Sequence, residues 1–457
     1  MRPTMRRGRG PALTAGLAAV ALLAGCSGAG GYDDPTPRPG PGWSTATGTD
    51  HGGLAVPGSA PADPEHLWER SFGAPVIGSA ALGVDDQVVL RLAGPGPCTM
   101  PSIDIDSGRR DWCATPGQVP AGASVTTDDR GDVYTGLPGA VTDYTFTGDR
   151  RWYTPVIGAP QPPLVLPGGD VLVVTHMGQI SVLDPQHGRK RAASLPLVGT
   201  APMPDPAVGL ADCAQAGPEC AVPHPVVAQP GGSRFHLVLR APDAPAPVLV
   251  TAEFDAEPDE FGQGRIRELW RTDEIPGGPA AAPAVSADGK TLYVLGDDGA
   301  ELVVVDAEDG AVRLTHRLAT PAESLTVTGS GLVVATSRTG GELTAMTVDD
   351  DDAGVTEQWS RTDLAVAGPV TAAGERGYLL AKRPDAPADE PELVVLDLAD
   401  GETVARTPVP PVDTDGGAGT VALPDDGAAV GLAVPLRADR VAVVLRSGAL
   451  HMFGDQD

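Results

Sequence analysis

Residues 292–306 read Leu-Tyr-Val-Leu-Gly-Asp-Asp-Gly-Ala-Glu-Leu-Val-Val-Val-Asp, two β-rich runs joined by a glycine turn. Residues 171–184 (Val-Leu-Val-Val-Thr-His-Met-Gly-Gln-Ile-Ser-Val-Leu-Asp) repeat this arrangement, and residues 332–348 and 393–397 repeat all or part of it. Runs of Val and Leu bounded by Gly and Asp are typical of short antiparallel strands connected by hairpins. The recurrence of the unit along the chain indicates a repeat architecture.

A second mark follows each unit. In residues 104–112, Asp-Ile-Asp-Ser-Gly-Arg-Arg-Asp-Trp, Gly108 precedes Trp112 by four positions, and later units keep or slightly stretch this spacing. Corresponding positions are separated by 40, 40, 78, 44, 45 and 46 residues. They are Trp112, Trp152, Ala192, Trp270, Leu314, Trp359 and Ala405. The interval of 78 is most simply one unit enlarged by an insertion, because residues 200–224 have the composition of a loop.

Four short antiparallel strands repeating every 40–45 residues predict the blades of an all-β propeller. The last unit, residues 440–453, ends before its fourth strand, whereas a matching strand is present around Trp68. If these two segments pair, both edges of the ring are covered. The seven internal marks plus Trp68 then predict a single eight-bladed β-propeller; seven blades is the alternative if residues 405–457 divide differently.

The signature of residues 104–112, with relics at 184–192, 306–314 and 397–405, resembles the pyrroloquinoline-quinone-like (PQQ-like) repeat. The resemblance covers residues 65–457 and implies a propeller, but it implies little about activity, because function is not set by fold alone. Glycine permits the positive φ of the hairpin turn, and we expect the tryptophans to pack between neighbouring blades. These structural residues are Trp68, Trp112, Trp152, Trp270 and Trp359.

The first 26 residues have the pattern of an export signal. Residues 1–10 carry four arginines and no acidic residue, and an apolar stretch of about 15 residues follows. That stretch is shorter than the roughly 20 residues that span a bilayer. Residues 23–26, Leu-Ala-Gly-Cys, resemble a bacterial lipobox, which implies cleavage before Cys26 and a diacylglycerol anchor on its sulfur. The alternative is an ordinary signal peptide in which Cys26 lies near the cut.

Three segments are therefore expected along the chain. Residues 1–25 form the lipoprotein signal peptide, residues 26–64 the lipidated cysteine and a flexible tether, and residues 65–457 the propeller. The tether prediction depends on a composition rich in Gly, Ser, Thr, Pro and Asp without apolar periodicity, which cannot bury enough surface to offset the entropy of ordering.

Cysteine content agrees with export. Four cysteines remain besides Cys26, and an even number in an exported chain indicates two disulfides. Proximity in sequence favours the pairs Cys98–Cys113 and Cys213–Cys220 over the other two connectivities. A zinc site is not expected from these cysteines, because no Cys-x-x-Cys pair is present.

Charge excludes two classes of partner. Asp and Glu number 60 against 32 Lys and Arg, which gives a formal net charge of −28. Such a chain repels phosphate backbones and anionic lipid headgroups. We therefore expect no nucleic-acid partner, and membrane contact only through the lipid anchor.

Sequence motifs for chemistry are few, and we predict no catalytic residue, no metal and no cofactor. Quinoprotein dehydrogenases use a vicinal disulfide, and no two cysteines are adjacent here. No Gly-x-Ser-x-Gly elbow is present. The eight histidines are dispersed, with His66 ahead of the first complete unit and His451 in the last unit. The nearest pair that could share a unit, His224 and His236, is interpreted as a loop residue and a strand residue.

These observations favour a non-enzymatic propeller anchored by lipid to the outer face of the bacterial cell membrane. Its loops would bind a protein or another envelope component, because loops on a rigid scaffold carry recognition. The enlarged fourth unit with its Cys213–Cys220 loop is one such surface. Two alternatives stay open: an enzyme, quinoprotein or other, with its site at the ring axis, and an extracytoplasmic ligand sensor.

Overall fold

Short antiparallel strands dominate the computed structural model of the protein. The described residues are 36–455 without 118–123, 200–204, 214–218, 242–243, 245, 338, 340, 350–353, 383–389, 412, 415–416 and 419–430. The predicted signal peptide and Cys26 lie outside the described residues. None of the helices in the described part of the chain has the length and apolar character needed to cross a membrane.

The first half of the chain forms two leading strands and four blades. The leading strands are β1 (Ala55–Val56) and β2 (Glu65–Ser71). Blade 1 contains β3 (Val76–Leu82), β4 (Gln87–Leu92), β5 (Met100–Asp104) and β6 (Arg110–Ala114), and blade 2 contains β7 (Val125–Thr127), β8 (Val133–Leu137), β9 (Ala140–Tyr144) and β10 (Arg150–Pro155). Blade 3 contains β11 (Leu164–Val165), β12 (Val171–Val174), β13 (Gln179–Leu183) and β14 (Leu195–Pro196), and the short helix α1 (Leu210–Cys213) follows. Blade 4 contains β15 (Val227–Ala228), β16 (Arg234–Leu239), β17 (Val248–Asp255) and β18 (Arg265–Thr272).

The second half continues the same pattern. Blade 5 contains β19 (Ala284–Val285), β20 (Thr291–Gly296), a 3-10 turn (Asp297–Gly299), β21 (Glu301–Asp306) and β22 (Val312–Arg317). Blade 6 contains β23 (Ser324–Val327), β24 (Val333–Ser337), β25 (Glu342–Val348) and β26 (Val355–Arg361). Blade 7 contains β27 (Thr371–Ala373), β28 (Arg376–Lys382), β29 (Pro391–Asp397) and β30 (Thr403–Pro408), and a ribbon of β31 (Asp413–Thr414) and β32 (Gly417–Ala418) follows. Blade 8 contains β33 (Gly431–Arg437), β34 (Arg440–Leu445) and β35 (Ala449–Gly454), with β2 as its outer strand.

Ring closure uses the strand predicted from the sequence. Strand β2 pairs antiparallel with β35, and Trp68 lies opposite Met452. The two ends of the repeat region therefore share blade 8, and the eight-bladed prediction is confirmed. The alternative count of seven is wrong.

Burial explains why the repeat units read as continuous Val and Leu runs. All residues of the central strands β12 and β13 are buried, because each blade is covered on both faces by its neighbours. The outer strand β22 instead alternates between half-buried and exposed residues. Strands covered on both faces lose the period-2 polarity of a half-solvated sheet.

Contacts between tryptophan and glycine join successive blades. The indole of each marked tryptophan lies over the glycine of the next blade's outer hairpin; a Cβ built on Gly188, for example, would lie 2.5 Å from Trp152 Cε3. Four of the indoles also donate to a backbone carbonyl of the next blade at 2.7–3.3 Å. The pairs are Trp68–Gly108, Trp112–Gly148, Trp152–Gly188, Trp270–Gly310 and Trp359–Gly401. The repeat signature thus encodes contacts between blades.

The predicted boundary between tether and propeller is wrong. Residues 37–64 belong to the same folded unit as the propeller, which extends from Pro37 to Asp457. Trp43 is fully buried, and β1 pairs with β27 of blade 7. The composition of the segment suits its tight turns, and its buried apolar residues Trp43, Val56 and Ala60 pack in one cluster with residues of the blades.

Candidate functional site at the ring axis

The chain ahead of β2 lies across the innermost strands of the ring. We call residues 38–58 the axial segment. Its carbonyls accept hydrogen bonds from the innermost strands of six blades, at N···O distances of 2.7–3.3 Å. A segment this short can reach the inner strands of six blades only at the ring axis. The N–H donors and their acceptors are Leu82 to Trp43, Thr127 to Ser44, Ala228 to Asp50, Val285 to His51, Val327 to Gly53 and Ala372 to Leu54.

These hydrogen bonds satisfy backbone N–H groups that would otherwise be unpaired on the inner strands of the propeller. The innermost strand of a blade has one edge without a neighbouring strand, and buried N–H groups on such an edge need acceptors. Strand β1 adds a short parallel pairing, Ala55 with Ala372 and Val56 with Ala373. The axial segment is therefore a structural element of the ring.

Two residues fix the axial segment in place. The Trp43 indole is fully buried, donates from Nε1 to Ser79 Oγ at 2.8 Å and packs in the same apolar cluster as Leu82. Gly52 has φ +72°, and a Cβ there would lie 2.6 Å from Val227 Cγ1. Only glycine suits that close approach and that backbone conformation.

Among the described residues, the axial segment borders two cavities that bear on the argument. The larger, about 440 Å³, is bordered by the axial segment and by the first turns of blades 5, 6 and 7; its titratable groups are His51 and Glu375. The His51 Nδ1 atom lies 2.7 Å from Asp50 Oδ1, and the Ser330 hydroxyl lies 2.9 Å from that of Thr328. The lining is otherwise mostly Gly, Ala, Val and Pro. A second cavity of about 250 Å³ lies against residues 56–59.

The opposite face of the ring carries the insertion of the enlarged unit. Successive turns of an antiparallel blade alternate between the two faces of the ring. The first turns of blades 5, 6 and 7 lie beside the axial segment, so the turns after the third strands lie on that face too, and the connections between blades lie on the other face. There, Val222 N–H donates to His176 C=O at 3.0 Å, and His176 Nε2 lies 2.7 Å from Val208 C=O. The Val208 residue is 52% exposed, and nearby Ile157 is 37% exposed.

Both predicted disulfides are present. The Cys98–Cys113 bond lies in blade 1, and the Cys213–Cys220 bond closes a loop of the insertion between β14 and β15. Each bond joins cysteines close in sequence, as proximity favoured.

Blade 2 contains a cluster of buried carboxyls that sequence analysis missed. Arg151 binds Asp132 through two hydrogen bonds of 2.6 and 2.7 Å, and the Tyr134 hydroxyl donates to Asp128 at 3.0 Å. Neither carboxyl oxygen of Asp143 has a hydrogen-bond partner, and burial, followed by the charge of Asp132, raises the pKa of Asp143 to about 8. The three carboxyls are shielded from solvent. We interpret the cluster as structural.

The titration of Asp143 affects stability in a defined direction. Its folded-state pKa lies above its ordinary value of 3.8, so between about pH 4 and pH 8 the folded chain keeps a proton that the unfolded chain releases. Stability contributed by this group is therefore lost as the pH rises through that window.

Histidines predicted to be dispersed come together at the ring closure. The rings of His66, in β2, and His451, in β35, have centroids 5.6 Å apart. The closing strand predicted around Trp68 contains His66, and the sequence analysis does not single out its contact with His451. The predicted pairing of this strand with residues 440–453 was the signal that could have found the contact.

Known proteins share this architecture. A family model described as outer membrane protein assembly factor BamB matches residues 263–449. Protein Rv3035 of Mycobacterium tuberculosis is 32% identical over 352 residues, which are 75% of this chain and 82% of that protein. The crystal structure of BamB from Moraxella catarrhalis, 15% identical, covers 86% of this chain and 100% of its own, with a TM-score of 0.52. Quinohemoprotein alcohol dehydrogenase from Comamonas testosteroni, 13% identical, covers 91% and 81%, with a TM-score of 0.59. At these identities the two solved structures show the fold alone.

The repeat signature, the closing strand and the contacts between blades define an eight-bladed PQQ-like β-propeller. Given the identity and coverage of the mycobacterial relative, the chain belongs to the same family as Protein Rv3035, within the PQQ-like-repeat β-propellers.

Proposed function

We propose that this protein is a lipid-anchored, extracytoplasmic propeller that binds a protein of the cell envelope and catalyses no reaction. The observation that carries the proposal is the axial segment. An enzyme with its site at the ring axis needs an open approach and convergent polar side chains there. In this chain, six inner strands bind the backbone of the axial segment instead.

The composition of the axial cavities supports the same proposal. The larger cavity is lined mostly by small apolar residues and contains one histidine paired with a carboxylate. The Ser330 hydroxyl interacts with Thr328 rather than with that histidine. This set lacks the nucleophile–base contact that covalent catalysis requires.

Export and anchoring are supported by the amino-terminal pattern and by the disulfides. Residues 1–26 carry the signal and the lipobox-like motif that ends at Cys26. Disulfides persist in oxidising compartments, and the chain has two.

We place the partner surface on the face opposite the axial segment. The insertion there is cross-linked by the Cys213–Cys220 bond and exposes Val208 and Ile157. A disulfide-restrained loop loses little entropy on binding, and apolar side chains exposed at a surface contribute contact area to a protein partner.

A ligand sensor is the second candidate. The observation in its favour is the cavity of about 440 Å³ beside His51, which is within the size range of small-molecule sites. A small solute bound there would contact Ser330 and Glu375.

Site-specific photo-crosslinking in living cells tests the proposal. The photoreactive residue is placed at Val208 on the insertion, at Ser330 beside the axial cavity, or at Phe261 as the control. Phe261 is 79% exposed, on an outer hairpin that lies on the face of the axial segment. We expect one dominant protein adduct from position 208 and no comparable adduct from the other two. Equal adducts from all three positions, or a small-molecule adduct from position 330 alone, would contradict the proposal.

A further inference from the structure

Three metal-binding side chains converge where the ring closes. His66 and Glu69 belong to β2, and His451 belongs to β35. The His66 Nε2 atom lies 3.4 Å from His451 Nδ1 and 3.6 Å from Glu69 Oε2, and His451 Nδ1 lies 3.9 Å from the same carboxylate oxygen. One ligand atom from each residue therefore faces a common point.

A β-bulge produces this convergence. In a regular strand, residues three apart point to opposite faces, so His66 and Glu69 could not share a site. The register of β2 against β35 shifts between His66 and Trp68, with His66 opposite Phe453 and Glu69 opposite His451. The extra residue turns both side chains to the face of His451. Bulges re-aim side chains in this way at functional sites.

The polar contacts of His66 Nε2 and His451 Nδ1 among the described residues are with each other and with the Glu69 carboxylate. His451 is fully buried, and among the described residues Nε2, the ring nitrogen outside the cluster, has no hydrogen-bond partner. The two facing imidazole nitrogens lie 3.4 Å apart, so a metal ion bound between them would accept a lone pair from each, and the adjacent Glu69 carboxylate favours a positive charge there.

We propose that His66, Glu69 and His451 bind a divalent transition-metal ion, with Zn²⁺ as the best fit. Zinc bonds of 2.0–2.1 Å in a tetrahedral site place ligand atoms about 3.3–3.4 Å apart, whereas an octahedral site of the same bond length places them about 2.8–3.0 Å apart. The three observed separations, 3.4, 3.6 and 3.9 Å, are closer to the tetrahedral value. Ca²⁺ and Mg²⁺ take oxygen ligands and do not suit two imidazoles.

The position of this site gives the ion a structural consequence. Two ligands precede blade 1 in the chain and the third lies in the last strand, β35, yet all three lie in blade 8. The complete site exists only when β2 is paired with β35. Bound metal therefore stabilises the closed ring by mass action, and one coordination position stays open to water.

Metal binding by the full-length chain is the test. The protein is stripped with EDTA, dialysed and titrated with Zn²⁺ by calorimetry, and a parallel sample is titrated with Co²⁺, whose visible absorption distinguishes tetrahedral from octahedral coordination. We expect one Zn²⁺ per chain, a tetrahedral Co²⁺ spectrum and a melting temperature that rises with added Zn²⁺.

Variants distinguish Zn²⁺ binding at this cluster from Zn²⁺ binding at other side chains of the protein. Glu69→Gln and His66→Gln change half-buried or exposed side chains and should each weaken Zn²⁺ binding by at least about tenfold. His187→Gln is the matched control, because His187 lies 3.2 Å from Asp184 outside any three-ligand group of the described residues. Cys26 is present in every variant, so its contribution cancels.

The results that overturn the proposal are specific. A wild-type chain that binds no more Zn²⁺ than Glu69→Gln shows that the cluster is only a hydrogen-bonded contact. A Co²⁺ spectrum of octahedral type, or equal losses in His66→Gln and His187→Gln, also overturns it. His451 is not substituted, because removal of a fully buried side chain could prevent folding.

Discussion

Replacement of Trp43 by alanine tests whether the axial segment is packed into the ring or is a flexible tether. The Trp43 side chain is fully buried, and its indole donates to Ser79. A tryptophan buries about 150–250 Å², which at about 25 cal/mol per Å² corresponds to about 4–6 kcal/mol. Alanine retains part of this, and measured costs of such truncations are about 3–5 kcal/mol. The Ser79 hydroxyl keeps its bond to Ala80 C=O at 3.0 Å, so it adds little to the cost.

This loss of stability is large enough to measure by thermal unfolding. An unfolding entropy of about 2.1 cal/mol/K per residue over about 400 residues converts 3–5 kcal/mol into a fall in Tm of about 4–6 °C. Limited proteolysis is the second readout, since a detached axial segment becomes open to cleavage within residues 44–60.

The control for Trp43→Ala is Phe261→Ala, which removes an aromatic ring that is 79% exposed and should change stability by less than about 0.5 kcal/mol. If Trp43→Ala unfolds at the same temperature as Phe261→Ala and resists protease like the wild type, residues 38–58 do not pack at the ring axis, and the argument from the axial segment fails.

Three further predictions concern the blades. Asp143→Asn should leave the free energy of unfolding unchanged near pH 4 and raise it at pH 9 by at most about 5 kcal/mol. The reason is that at pH 9 the wild-type carboxyl must ionise while it is buried. Urea titrations at both pH values measure the difference. Gly310→Ala should destabilise more than Gly231→Ala, since both have positive φ but only the first Cβ would meet an indole, at 2.5 Å; equal falls in Tm would contradict the contact between blades. Serine at both Cys98 and Cys113 should cost about 3 kcal/mol, the loop-closure value for 15 residues. Unchanged urea midpoints in the double variant would show that the bond contributes nothing.

Local signals predicted the ring. The Gly-x-x-x-Trp spacing of residues 104–112 is recognisable because five of the eight blades carry an indole that packs on the positive-φ glycine turn of the next blade. The closing strand was predictable because the last unit ends before its fourth strand and the segment around Trp68 matches a fourth strand. Cysteine spacing similarly favoured the observed disulfides.

Long-range contacts were not predictable from the same signals. The axial segment is rich in Gly and Pro, and its acceptors face six strands that are up to about 320 residues away in sequence. Its glycines are typical of a linker in sequence. Gly52, however, is required because the Val227 side chain lies too close for a Cβ at that position. The site at His66 depends on a bulge, which places residues three apart on one face and has no signature in the residue types.

Purification of the full-length chain from the membranes of the cells that encode it tests the proposed function most directly. Quantitative mass spectrometry of the solubilised complex is combined with its ultraviolet–visible spectrum. We expect one envelope protein in nearly equal amount with the propeller and no quinone absorbance. One quinone or other small organic molecule per chain, without a protein partner, would contradict the account and assign the ring axis to a ligand.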